Sequence, residues 1–180
     1  KKSIAFDIGV GTGVLSVVLA IREIKQIFAT DQDDRAISCA KENIKRLKLN
    51  EQIAILKTHL FPEGKAALIV CNPPWLPARP SSSLEHAVYD PDSQMLKGFL
   101  ESLKDHLLPK GEGWLILSDL AEHLGLRTRE ELLSWIAAAD LTVVTRLDTK
   151  PHHPKAFDKT DALHIARAKE TTSLWRLGVK

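Results

Sequence analysis

The tetrad Asn72-Pro73-Pro74-Trp75 closes the apolar run Leu68-Ile69-Val70-Cys71 with residue types that a core strand ordinarily avoids. A proline has no N–H and biases the residue before it toward extended geometry, so a strand ladder cannot continue through Pro73 and Pro74. What remains is a pair of acceptors, the Asn72 side-chain oxygen and the Pro73 carbonyl. Two fixed acceptors can take both N–H groups of a planar –NH2, which leaves the nitrogen lone pair pointing out of the plane. Trp75 adds a flat face for stacking a planar group. Amide and aromatic amino nitrogens are weak nucleophiles because their lone pair is delocalised. Alignment is then the main work, and positioning supplies on the order of several kcal/mol without a strong general base. The bland alternative is a plain turn.

A second constellation lies near the start of the chain. Asp7-Ile8-Gly9-Val10-Gly11-Thr12-Gly13 follows a short apolar run and opens a helical pattern. Such a glycine loop lets a ligand approach the main chain, and the helix behind it offers free N–H groups. Asp31 ends the next predicted strand, where a carboxylate can accept hydrogen bonds from both hydroxyls of a ribose. A nicotinamide-binding domain shares much of this, but its G-x-G-x-x-G places the third glycine one residue later, at the position of Val14. No convincing acid–base partner for hydride transfer accompanies it.

Strand and helix signals alternate along the whole chain and position both constellations. Strands are predicted at 3–8, 27–30, 53–56, 66–71, 113–118, about 141–147 and 162–168. Helices are predicted at 13–22, buried on most sides; at 33–47, with Ala36, Ile37, Ala40, Ile44 and Leu47 inward; at 93–108, ended by Pro109-Lys110-Gly111; and at 128–139, opened by a Thr128/Glu131 capping box. Residues 72–91 hold Pro73, Pro74, Pro77, Pro80 and Pro91 and read as a long functional loop. The pattern is that of an α/β domain with a mostly parallel sheet.

The 180 residues, 44% hydrophobic and 27% charged with a net charge of +2, suit a single domain and do not argue for nucleic acid on charge alone. Cys39 and Cys71 read as a buried reduced pair, and Pro151-His152-His153-Pro154 lacks further ligands at metal spacing. No run is long enough to span a membrane, and a cytoplasmic location is expected. Because the chain begins at Lys1 and enters a strand almost at once, a domain lacking an upstream N-terminal segment is expected.

The Asp7–Gly13 pattern resembles the S-adenosylmethionine site of class I methyltransferases. The tetrad resembles the [ND]-P-P-[YFW] motif of the amino-methyltransferases within that class, which include the HemK-type release-factor glutamine methyltransferases and adenine- and guanine-N methyltransferases. The resemblance implies a doubly wound, Rossmann-like, seven-stranded and mostly parallel sheet of order 3-2-1-4-5-7-6, with helices on both faces and a reversed hairpin at one edge. It implies S-adenosylmethionine as cofactor, met by Asp7, Gly9, Gly11, Thr12 and Gly13 at its methionine part and by Asp31 at its ribose. Asn72, Pro73, Pro74 and Trp75 would be catalytic, with Asn72 also bordering the cofactor. Relatives place an acid for the adenine after the third strand, where this chain has Lys57-Thr58-His59-Leu60-Phe61; His59 stands in its place, and a neutral imidazole can accept one hydrogen bond.

Pro77, Asp90-Pro91 and Gly98 resemble the HemK-type layout and favour a protein glutamine side chain as acceptor, although the duplicated glycines of that family are missing. The alternative is a nucleic-acid base, with Arg79, Lys97, Lys104, Lys150, His152, His153, Lys155 and Lys159 tracking phosphates. A third reading is a catalytically silent domain that binds the cofactor or RNA. Asp119 and Glu122, after the fifth predicted strand, could reach the cleft but suit the surface.

Overall fold

The computed structural model describes residues 4–76, 90–151 and 163–180. Its first four strands are β1 (Ile4–Ile8), β2 (Gln26–Asp31), β3 (Ile53–Lys57) and β4 (Ala66–Cys71), all mutually parallel. β1 lies between β2 and β4, with Asp7 opposite Ala29 on one side and Val70 on the other. The carboxyl ends of these three strands are therefore level. Helix α1 (Val14–Ile21) links β1 to β2, and α2 (Asp34–Arg46) links β2 to β3. Asp33 caps α2 by accepting from Arg35 N–H at 2.7 Å, and Ile37, Ala40 and Ile44 form its buried stripe.

Beyond β4 come α3 (Gln94–His106), β5 (Leu107–Ser118), α4 (Leu120–His123), α5 (Arg129–Ala138), β6 (Leu141–Thr149), α6 (His164–Lys169) and β7 (Thr172–Val179). The sheet order is β3-β2-β1-β4-β5-β7-β6, and β7 runs antiparallel to both neighbours. The period-two pleat of β1 divides the core between the two faces. Ala5 joins Leu19, Ala20, Ala40 and Ile44 on the α1/α2 face, while Phe6 and Ile8 join Leu96, Phe99, Leu100, Leu103, Leu132 and Ile136 on the α3/α5 face.

Several expectations need correction. Residues 162–168 were expected to be the last strand; His164–Lys169 is a helix, and β7 follows it. Ser173, Trp175 and Leu177 alternate inward along β7, whereas in α6 only Ala166 is buried. Pro109-Lys110-Gly111 was expected to separate a helix from a strand. β5 instead begins directly after His106, and its pairing with β4 shifts register between Ala66 and Leu68. Helix α1 is not buried on most sides: Val14, Val18 and Ile21 are exposed, and Ser16, Leu19 and Ala20 face inward. Leu47, past the end of α2, is exposed as well, and Cys39 is exposed while Cys71 is buried. The Thr128/Glu131 capping box is present in both directions, at 3.1 and 2.7 Å. Among the described residues no helix is long and apolar enough to cross a membrane, and no group of His, Cys, Asp and Glu is arranged to hold a metal ion.

Candidate active site at the carboxyl edge of the sheet

The glycine loop folds back onto β2. Gly9 and Val10 both donate their N–H to the Thr30 carbonyl, at 2.9 and 2.8 Å, and Gly13 donates to the Val10 carbonyl at 2.8 Å. Gly13 caps α1 at φ 88°, a left-handed conformation that L side chains rarely adopt. Gly9 is at φ 75°, also left-handed, and the end of the Met95 side chain at the start of α3 lies against it, 2.5 Å from where a Cβ would stand. At Gly11 a Cβ would meet nothing within 4 Å, so this part of the loop borders open space. Thr12 is exposed, and its carbonyl accepts from Asn43 Nδ2 at 3.0 Å.

Asp31 is tied to this loop. Its Oδ2 accepts from Gly11 N–H at 3.1 Å and its Oδ1 from Asp33 N–H at 3.0 Å. Each carboxylate oxygen keeps further acceptor capacity for a hydroxyl. His59 reaches the same rim, with Nδ1 3.3 Å from Gln32 Oε1, and Thr58 N–H donates to the Asp31 carbonyl at 3.1 Å. Asp7, Gly9, Gly11, Gly13, Asp31 and His59, distant in sequence, thus share one sheet edge.

Asp7 is 0% exposed. Ser16 Oγ donates to its Oδ2 at 2.6 Å, while Oδ1 has no hydrogen-bond partner among the described residues. Burial pushes the carboxyl up to about 7, partly offset by the Ser16 hydrogen bonds and reinforced by the negative charge of Asp31. Burial, together with Asp7 and Asp90, holds the neighbouring Cys71 thiol well above its ordinary value. The sequence reading missed Ser16; a hydroxyl on the inward side of the apolar stretch Val14-Leu15-Ser16-Val17-Val18-Leu19 was the available signal.

On the other side of β1, β4 delivers Asn72 to the same edge. Asn72 is exposed, Pro73 buried, and Pro74 and Trp75 half-buried. Trp75 Nε1 donates to Asn72 Oδ1 at 2.9 Å, so the indole fixes the carboxamide as well as presenting a flat face. An amide oxygen has two lone pairs, and one stays available. Leu76 then packs on Leu120, Ala121 and Ala166, and its carbonyl accepts from Asp90 N–H at 2.7 Å, closing the base of segment 77–89. Asp90 is buried and accepts from Met95 and Leu96 N–H at 2.9 and 3.1 Å, which holds the start of α3 beside the glycine loop. Burial raises its pKa, and those N–H groups counter the rise. Gly98 also has a local role, since a Cβ there would lie 2.7 Å from Leu60 Cδ1.

The basic candidates fare differently. Lys97 lies over the Trp135 ring, Lys104 pairs with Asp140, and Lys150 donates to the Lys169 and Glu170 carbonyls and to Thr171 Oγ1. Pro77, Arg79, His152, His153, Lys155 and Lys159 lie outside the described residues. Asp119 accepts from Thr171 N–H and Glu122 pairs with Arg129, so both brace the β5–β7 end.

Known proteins share this architecture and part of this sequence. The family model for ribosomal protein L11 methyltransferase (PrmA) matches residues 1–74. The chain is 34% identical over 87 residues to a putative protein N5-glutamine methyltransferase of Methanocaldococcus jannaschii, covering 47% of this chain and 43% of that protein. It is 32% identical over 81 residues to the release factor glutamine methyltransferase of Aquifex aeolicus, covering 43% of this chain and 29% of that one. Each match spans less than half the length of the relative. A ribosomal protein L11 methylase structure from Lactobacillus delbrueckii subsp. bulgaricus superposes on all of this chain and 71% of its own, with TM-score 0.67 at 19% identity, which establishes a common fold.

Proposed function

We propose that this chain, which belongs to the class I S-adenosylmethionine-dependent methyltransferases, moves a methyl group from S-adenosylmethionine to a planar amide nitrogen, the side chain of a protein glutamine. The observation that carries this reading is a register: Ile8 of β1 is the partner of Cys71 of β4. The glycine loop and Asn72 therefore leave the sheet one strand apart, roughly 5 Å. A donor site and an acceptor site so placed address one reaction.

The residues present suit the cofactor. An orphaned, buried oxygen on Asp7 is a receptor for an ammonium group, the open side of Gly11 admits a ligand to the main chain, and Asp31 keeps lone pairs for ribose hydroxyls. When bound, the cofactor supplies a methyl group activated by its sulfonium. The chain's own work is positioning. Asn72 Oδ1, steadied by Trp75, and the Pro73 carbonyl take the two N–H groups of the acceptor, which aims the nitrogen lone pair at the methyl carbon. Held there, the acceptor nitrogen would take the methyl group that the cofactor would supply, and the proton it sheds would pass to solvent. The names of the two glutamine-methylating relatives support the choice of a protein amide. The engagement of Lys97, Lys104 and Lys150 within the chain leaves fewer charges for phosphates. A cytoplasmic location belongs to the same reading.

The test is transfer of radiolabelled methyl from S-adenosylmethionine by the full-length protein into cell extract. Label lost on protease treatment supports the protein amide. Label lost on nuclease treatment moves the acceptor to a base, and cofactor binding without any transfer favours a silent domain.

A further inference from the structure

The acids at this edge, buried or half-buried, are stabilised in different ways. Asp90 receives two backbone N–H groups, and Glu170 accepts from Ser118 Oγ at 2.5 Å. Asp31 receives one N–H on each oxygen. Asp7 has a single hydroxyl donor, from Ser16 on α1, and its other oxygen is buried without a partner. The charged group acting on it from β2 is Asp31, and on β4 the nearby titratable group is the Cys71 thiol, which the charges of Asp7 and Asp90 both disfavour as a thiolate. None of these groups is a cation. A carboxylate wholly removed from water, with donors from Ser16 alone, one oxygen unmet and a negative neighbour, is far more costly than the neutral acid.

The proposed cofactor carries an ammonium group at its amino-acid end, and the glycine loop that would meet it springs directly from Asp7. A cation brought to this place supplies the compensation that the fold omits. We propose that Asp7 is a proton-linked receptor for that cation: the free protein carries a proton on Asp7 on the acid side of neutrality, and binding of the cofactor expels it. This inference rests on the cofactor reading of the site. The shift of the Asp7 carboxyl to about 7 agrees with it.

The sign follows from linkage. A group that binds a proton in the free protein and releases it on binding makes affinity fall as pH falls through its free-state midpoint. With one proton involved, affinity for S-adenosylmethionine rises roughly tenfold between pH 5.5 and pH 7. The cofactor's own amino group, with an ordinary value of about 7.7–8.0, stays charged over that window. His59 stands at the same rim, and a variant separates its contribution from that of Asp7.

The experiment is titration calorimetry of the full chain with S-adenosylmethionine at pH 5.5, 6.2 and 7.0, in buffers of differing ionisation enthalpy. The expected result is net proton release together with the roughly tenfold gain in affinity, both retained in His59→Gln and both abolished in Asp7→Asn. Tight binding with no pH dependence and no proton release overturns the proposal while leaving the cofactor reading intact. Absence of binding at every pH sinks the cofactor reading and the proposal with it. A linkage that disappears in His59→Gln assigns the proton to His59 and overturns the proposal. Should Asp7→Asn fold poorly, carbon NMR of the wild-type chain labelled at its aspartate carboxyls follows Asp7 directly. A titration near neutrality in the free protein that is absent above pH 5.5 with cofactor bound is expected. A carboxylate ionised throughout in the free protein overturns the proposal.

Discussion

From β1 to β4 the strands are all parallel: β2 pairs with its chain neighbours β1 and β3, and β1 also pairs with β4 from further along the chain. From β5 to β7 the sheet is built otherwise: the last strand inserts antiparallel between β5 and β6. The family model ends at residue 74, close to the seam between the two regions. In this first region β1 is flanked by β2 and β4, which holds Asp7, the glycine loop and Asp31 in one place. The segment that follows β4 is braced by groups of the second region, with Leu76 packed on α4 and α6. Under the proposed function, recognition of the methyl donor would fall to the first region and access to Asn72 to the second.

If the halves divide the labour in this way, substitutions should separate binding from transfer. Asn72→Ala should lower kcat about a thousandfold, ~4 kcal/mol of barrier, with calorimetric affinity for S-adenosylmethionine nearly unchanged. A kcat near that of the parent chain would remove Asn72 from the acceptor site. Asp31→Ala should do the reverse, weakening cofactor affinity by ~2–3 kcal/mol through loss of charge-assisted hydrogen bonds. Affinity equal to that of the parent chain would take the ribose away from Asp31.

Asp7→Asn sharpens the comparison through stability. A carboxyl whose folded value lies above its unfolded 3.8 stabilises the fold at low pH, and this contribution is lost as pH rises through about 7. The cofactor-free variant should therefore gain ~2 kcal/mol over the parent chain at pH 8 and nothing near pH 4, read from urea unfolding. A gap that does not widen with pH would mean that Asp7 is not strained by its burial. The smallest effect is expected from Trp75→Phe, which keeps a flat face but removes the donor to Asn72. Turnover should fall about tenfold, ~1.4 kcal/mol, with cofactor affinity intact. No loss would show that the indole N–H does not steady the carboxamide.

The legibility of the chain divides along the same seam. Alternation of short apolar runs with helical patterns was sufficient to place β1 to β4 along the chain, because each is a short apolar run bounded by turn or helix signals. The seven-stranded order was implied by resemblance, and the structure has it. Residues 162–168 misled because apolar residues in a short stretch fit a strand as readily as a helix. What decides is the strand pairing available to Thr172–Val179, which lies between two elements far away in the chain.

The amino acids alone determined the types and spacing of the reactive groups: an acid before a glycine loop, an acid ending the second strand, and an amide with two prolines and an indole after the fourth. They did not determine how like residues would differ. Asp7 and Asp31 are the same side chain, yet one is buried with an unmet oxygen and the other is held by two backbone N–H groups. Nor did they show that Trp75 bonds Asn72, that Asp90 bonds the Leu76 carbonyl, or that Cys39 is exposed and Cys71 buried. Burial and hydrogen-bond satisfaction are sums over neighbours drawn from the whole chain, so only the assembled sheet could assign them.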